Sequence, residues 1–119
     1  MSTTTRLTPD EAGQVFVTPA AYADETYFHE ACAVLRANDP VHRVELPNFN
    51  PFYAVTKHAD VLAVELRNSV FLNEPRPVLG TKGDDERTAQ NGNLLRTLIH
   101  VDDPEHRALR GVTSDWFLP

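Results

Sequence analysis

Only one part of the chain alternates as strands do. From Val41 to Glu45 and on to Leu46, His42, Val44 and Leu46 fall on one side while Val41, Arg43 and Glu45 fall on the other, the pattern of a half-buried strand. A second run, Phe52-Tyr53-Ala54-Val55-Thr56, follows the turn-forming Pro47-Asn48-Phe49-Asn50-Pro51. Two strands make a single hairpin, which is marginal in water unless a helix or a third strand packs on it. The fold class is therefore mostly α with a small β-hairpin (α+β), and helices must supply the core.

Helical spacing is present on both sides of the hairpin. Asp24 is a favoured N-cap, and Phe28, Ala31, Cys32 and Leu35 then follow the i, i+3, i+4, i+7 spacing of one buried face. That helix is predicted to stop near Asn38-Asp39-Pro40. Cys32 lies on its apolar stripe, where a packed thiol is the expectation. Ala59, Leu62, Ala63 and Leu66 predict a second helix over residues 58–67. Residues 1–17 are Thr-rich and weakly patterned, and read as a flexible N-terminal arm. Residues 73–93 are polar and broken by Pro75, Pro77, Gly80, Gly83 and Gly92, which reads as a long loop. A short apolar stretch, Leu94-Leu95-Arg96-Thr97-Leu98-Ile99, leads out of it.

Length and charge narrow the function. With 119 residues the chain has room for no more than one small domain, and nine prolines cut it into short pieces. The net charge of −6 repels phosphate backbones and anionic headgroups, so no nucleic acid and no membrane is expected as a partner. No apolar run approaches the roughly 18 residues that span a bilayer. The start, Met1-Ser2-Thr3-Thr4-Thr5-Arg6, lacks the apolar core of a secretory signal, and Cys32 is alone, so a cytoplasmic location is expected. The five histidines form no HxH or HxxxH pair, and no metal site is expected among them. Ser69 and Ser114 have no nucleophile-elbow context.

The most strongly specified helix comes last. Asp103 can cap it, Pro104 suits its first position, and Glu105 puts negative charge where the helix dipole favours it. Val112, Trp116, Leu109, Thr113, His106, Phe117 and Arg110 then occupy one arc of about 160°. Arg107, Gly111, Ser114 and Asp115 are expected to face solvent. His106 and Arg110 are one turn apart, so their side chains stack along the edge of the apolar arc. Such a pair is either the wet edge of an amphipathic helix or a seat for a flat apolar ligand with carboxylates on its rim.

The stretch Leu98-Ile99-His100-Val101-Asp102-Asp103-Pro104-Glu105-His106-Arg107-Ala108-Leu109-Arg110 resembles a segment of the bacterial soluble cytochrome P450 family, the heme-thiolate monooxygenases. That family carries an Asp-Pro-x-His-x-x-x-Arg helix followed by Phe-x-Pro, and here the ending is Trp116-Phe117-Leu118-Pro119. The order of parts is also similar over residues 20–119: helix, hairpin, helix, long variable loop, heme-edge helix. The resemblance implies that residues 18–119 are the N-terminal portion of a cytochrome P450 domain, incomplete as a fold.

By this resemblance His106 and Arg110 would bind heme propionates, with Ile99 and His100 near the macrocycle edge, and residues 73–99 would cover the distal side. The implied enzyme hydroxylates a small hydrophobic substrate with O2 and draws electrons from a ferredoxin-type partner. Cys32 does not sit in the family's Phe-x-x-Gly-x-x-x-Cys loop, and neither Glu-x-x-Arg nor Ala-Gly-x-x-Thr occurs in the sequence. The iron-ligand Cys is thus expected outside this chain, which by itself would be inactive. The alternative is a non-catalytic small acidic interaction domain that binds a partner through its loop or helix faces.

Overall fold

Asp24 accepts a hydrogen bond from the Tyr27 amide at 3.0 Å and so fixes where the longest helix begins. In the computed structural model, which describes residues 7–92 and 96–117, that helix is α2 (Glu25–Asn38). The Met1-to-Arg6 start, Leu94 and Leu95, and the Leu118-Pro119 ending fall outside the described residues. The element order is α1 (Pro9–Gly13), two 3₁₀ turns, α2, β1 (Val41–Val44), β2 (Phe52–Val55), α3 (His58–Glu65), α4 (Lys82–Asn91), a 3₁₀ turn (Leu98–His100) and α5 (Glu105–Phe117). The contacts divide the chain into two compact units, Met1–Leu62 and Ala63–Pro119.

In the first unit the hairpin is antiparallel and pairs Val41 with Val55, His42 with Ala54, Arg43 with Tyr53 and Val44 with Phe52. The inward side of β1 is the one its alternation predicts, since His42 and Val44 are buried and Val41 and Arg43 exposed. Thr56 closes the open end of the hairpin with its amide and hydroxyl on the Pro40 carbonyl, at 3.0 and 3.2 Å. Ala31 and Leu35 of α2, Val44 and Ala54 of the hairpin, and Ala12, Val15 and Ala21 form one buried cluster. Phe28 packs on it, edge-on to Phe16 with ring centroids 5.8 Å apart. Cys32 is buried as expected, and burial pushes its thiol above the ordinary range.

The segment read as a flexible arm departs from that expectation from residue 9 onward. Thr8 and Glu11 form a reciprocal cap: the Glu11 amide donates to the Thr8 hydroxyl at 3.3 Å, and the Thr8 amide donates to the Glu11 carboxylate at 2.8 Å. Pro9 sits in the first turn; the helix places Ala12 in the core with 0% exposure, and the 3₁₀ turn that follows places Val15 there with 1%. A short amphipathic helix gains its order from that burial and not from propensity.

In the second unit the polar stretch read as a loop contains α4. Thr81 and Asp84 make the same reciprocal cap, with the Asp84 amide 3.2 Å from the Thr81 hydroxyl and the Thr81 amide 2.9 Å from the Asp84 carboxylate. Gly92, at a φ of 70°, ends the helix, its amide donating to the Thr88 carbonyl at 2.9 Å. No residue of α4 is buried, so its order rests on caps and on ion pairs such as Arg87–Asp84 and Arg76–Asp85. Val101 is the buried hydrophobic residue among those described in this unit. Among the described residues no helix is long and apolar enough to cross a membrane.

Candidate functional site

α5 begins at Glu105, one residue later than its sequence signals suggest. Asp103 does not serve as the expected cap. Its carboxylate accepts from the Arg107 guanidinium at 2.8 Å and from the Asn68 side-chain amide at 3.5 Å. The His106 Nδ1 lies 3.9 Å from the other Asp103 oxygen, and the ring is about one-third exposed. Arg110, one turn further on, has no carboxylate within ion-pair distance among the described residues.

His106 and Arg110 line one open pocket of about 380 Å³ together with Asn68, Asp103, Arg107, Gly111 and Ser114. The structure thus brings the two sequence-selected residues together. Arg107, Gly111 and Ser114 are exposed, as expected, and border the same open pocket. Three potential cations face a single carboxylate here, so the lining favours an anionic group. Arg110 offers the fork of donors that carboxylates accept in pairs. Leu109 and Val112, elsewhere on the same helix, are 47% and 76% exposed.

His100 stands apart from this pair. It lines a second pocket of about 350 Å³ with Glu74, Pro75 and Arg96. Its Nδ1 accepts from the Thr97 amide at 3.3 Å and meets the Thr97 hydroxyl at 2.8 Å. Ile99 is largely exposed at 63%.

Two residues near this site were not singled out by the sequence. Arg96 places its guanidinium against both Glu105 oxygens, at 2.8 and 2.7 Å, and against Glu74 at 2.8 Å. This bidentate contact holds the Glu105 carboxyl below, and the Arg96 guanidinium above, their ordinary ranges. Asp102 accepts from the Asn73 amide at 2.9 Å, the Glu74 amide at 2.9 Å and the Asn73 side chain at 3.2 Å. The Asn73 amide, followed by the Glu74 amide, keeps its carboxyl below the usual carboxylate range. Arg96 is nine residues from Glu105 and Asp102 is 28 to 29 from its partners, spacings with no local sequence signature. Among the described residues no group of His, Cys, Asp and Glu is placed to hold a metal ion.

No family model matches the chain. Over 116 residues it is 28% identical to cytochrome P450-terp of a Pseudomonas species, a match that covers 93% of this chain and 27% of that protein. It is 34% identical over 97 residues to the steroid C26-monooxygenase of Mycolicibacterium smegmatis, covering 76% of this chain and 22% of that protein. A methyl-branched lipid omega-hydroxylase of Mycobacterium tuberculosis is 30% identical over 95 residues. The crystal structure of CYP108D1 from Novosphingobium aromaticivorans superposes with a TM-score of 0.80 at 32% identity, covering 93% of this chain and 29% of that one. The chain spans about a quarter of the length of the first of these relatives.

Proposed function

The chain belongs to the cytochrome P450 family, and from that premise we propose that it forms part of a heme-dependent monooxygenase and holds the carboxylate edge of the heme. The observation that carries this reading is Arg110, a guanidinium without a carboxylate partner among the described residues, one turn from His106 in a shared pocket. The donor set fits the group: heme is a flat apolar body with anionic propionates on one rim. His106 and Arg110 would hold the propionates by charge-assisted hydrogen bonds, with Ile99 and His100 closer to the macrocycle edge.

Bound heme supplies the O2 activation, and its iron would take a thiolate from outside this chain. Cys32 does not fit that role, because it is packed in the core of the first unit and burial favours its neutral thiol. The part played by these residues is to bind and orient, and the segment from Asn73 to Ile99 would limit access of water and substrate. Two relatives are named for a steroid and a methyl-branched lipid, both hydrophobic. We extend that class to this protein: a small hydrophobic substrate hydroxylated with O2, electrons from a ferredoxin-type partner and a cytoplasmic location. The alternative of a non-catalytic acidic interaction domain draws no support from a pocket lined by His106, Arg107 and Arg110.

The test is heme retention in the full-length protein. His106→Ala and Arg110→Ala should each speed transfer of heme to an apo-globin scavenger by about tenfold or more, since a hydrogen bond to a charged group contributes about 1.5–3 kcal/mol. Retention equal to that of the unmodified protein in both variants would remove the propionate assignment.

A further inference from the structure

We propose that Arg96 is a positioning residue for the edge formed by His106 and Arg110, acting through Glu105 and supported by Asp102; the inference rests on the heme-edge reading above. Glu105 is the first residue of α5 and immediately precedes His106. With both of its oxygens on one planar guanidinium, the first turn of the helix is fixed in rotation as well as in place. The same guanidinium reaches Glu74, so the anchor point is shared with a segment 22 residues before it.

Asp102 makes this anchor rigid by an independent route. It takes the backbone amides of Asn73 and Glu74, so Glu74 is held through its main chain by Asp102 and through its side chain by Arg96. Residues 73–74 and 102–105 are therefore tied at the base of the excursion that contains α4. The magnitudes separate position from stability. The three groups of the Arg96 bridge are each about half exposed, and exposed ion pairs contribute little to stability. A bidentate fork nevertheless fixes direction, and a 1 Å displacement at a binding edge is costly. Arg96 is thus expected to matter for where His106 stands and little for whether the protein is folded.

The experiment uses the heme-loaded full-length protein with Arg96→Gln, Arg96→Lys and Asp102→Asn, and His106→Ala as reference. Amide hydrogen exchange, heme transfer to an apo-globin and the thermal midpoint are read on each. Arg96→Gln should raise exchange at Asn73, Glu74 and the first turn of α5 by about three- to tenfold and speed heme loss, with the midpoint nearly unchanged. Arg96→Lys should recover part of the effect, because a single ammonium can meet one carboxylate but cannot match the fork. Asp102→Asn should loosen Asn73 and Glu74 first.

Exchange and heme loss at wild-type rates in Arg96→Gln, while His106→Ala releases heme quickly, would refute the positioning role and leave the heme-edge reading standing. A large fall in the midpoint with exchange raised throughout the protein would also refute it, by showing a general structural role. If His106→Ala keeps heme like the wild type, the heme-edge reading falls, and unchanged exchange in the first turn of α5 of Arg96→Gln would then refute the positioning role on its own.

Discussion

Replacing Gly13 by alanine sets two effects of known size against each other. Gly13 ends α1 with helical angles, φ −63° and ψ −24°, where alanine is ordinarily favoured by about 1 kcal/mol. A Cβ built there, however, meets the His42 Cδ2 at 2.9 Å and the Val44 Cγ2 at 3.0 Å. Carbon atoms in van der Waals contact sit about 3.5–4.0 Å apart, so both neighbours must yield. Neither is the loose end of a side chain. The His42 ring is buried, its Nδ1 is 2.8 Å from Asp39, and its Nε2 is 3.4 Å from Asp10. Val44 is buried in β1. Overpacking of this kind costs about 1–3 kcal/mol, so the balance is a net loss of about 1 kcal/mol.

Gly83 provides the control, because the nearest atom to a Cβ there is the Thr81 hydroxyl at 3.8 Å, an ordinary contact. Gly83→Ala should therefore stabilise α4 by about 0.5–1 kcal/mol. The same substitution has opposite signs at two sites, differing by about 2 kcal/mol, or roughly 30-fold in equilibrium. Native-state hydrogen exchange reads both locally, at the Ala12 amide, which donates to the Thr8 carbonyl, and at the Gly92 amide, which donates to that of Thr88. Greater protection of Ala12 in Gly13→Ala would refute the packing argument.

Asp24→Ala should cost about 1 kcal/mol, read as faster exchange at Tyr27 and Phe28, and unchanged exchange there would show that the cap is not what starts α2. Asp84 should titrate at about 2, below its ordinary 3.8, because the Thr81 hydroxyl and amide and then Arg87 favour the carboxylate. A depressed carboxyl supports structure above its unfolded value and withdraws that support as the pH falls through its folded one, so the α4 cap should persist at pH 4 and fail near 2. Carboxyl NMR checks this, and Thr81→Ala should return Asp84 toward its ordinary value. Cys32 should react with a disulfide reagent only as fast as the first unit opens, and labelling at the rate of a free thiol in the folded protein would contradict its burial.

What could be read from the sequence was what local chemistry decides. Asp24, the stripe through Leu35 and the alternation from His42 to Leu46 each place their element, because caps and periodicity act over a few residues. The caps of α1 and α4 were equally local, Thr8 with Glu11 and Thr81 with Asp84, but composition masked them. Thr-rich and Gly-rich surroundings read as unstructured, and a helix with no buried face has no periodic signal. His106 and Arg110 were legible because one helical turn separates them. Arg96, Asp102 and the contact of His42 with Asp10 were not, since chain folding joins residues far apart in sequence and no spacing rule announces it.

The tie at residues 73–74 and 102–105 also bears on what the chain between them is free to become. Because its ends are fastened by side chains that lie outside α4, the excursion keeps its footing whatever its interior contains. Closing a longer loop is cheap, about 0.6 kcal/mol for each doubling of length. The stretch from residue 76 to 95 is thus a cassette: it can be lengthened, shortened or exchanged for another sequence while Glu105, and the helix that follows it, stay in register.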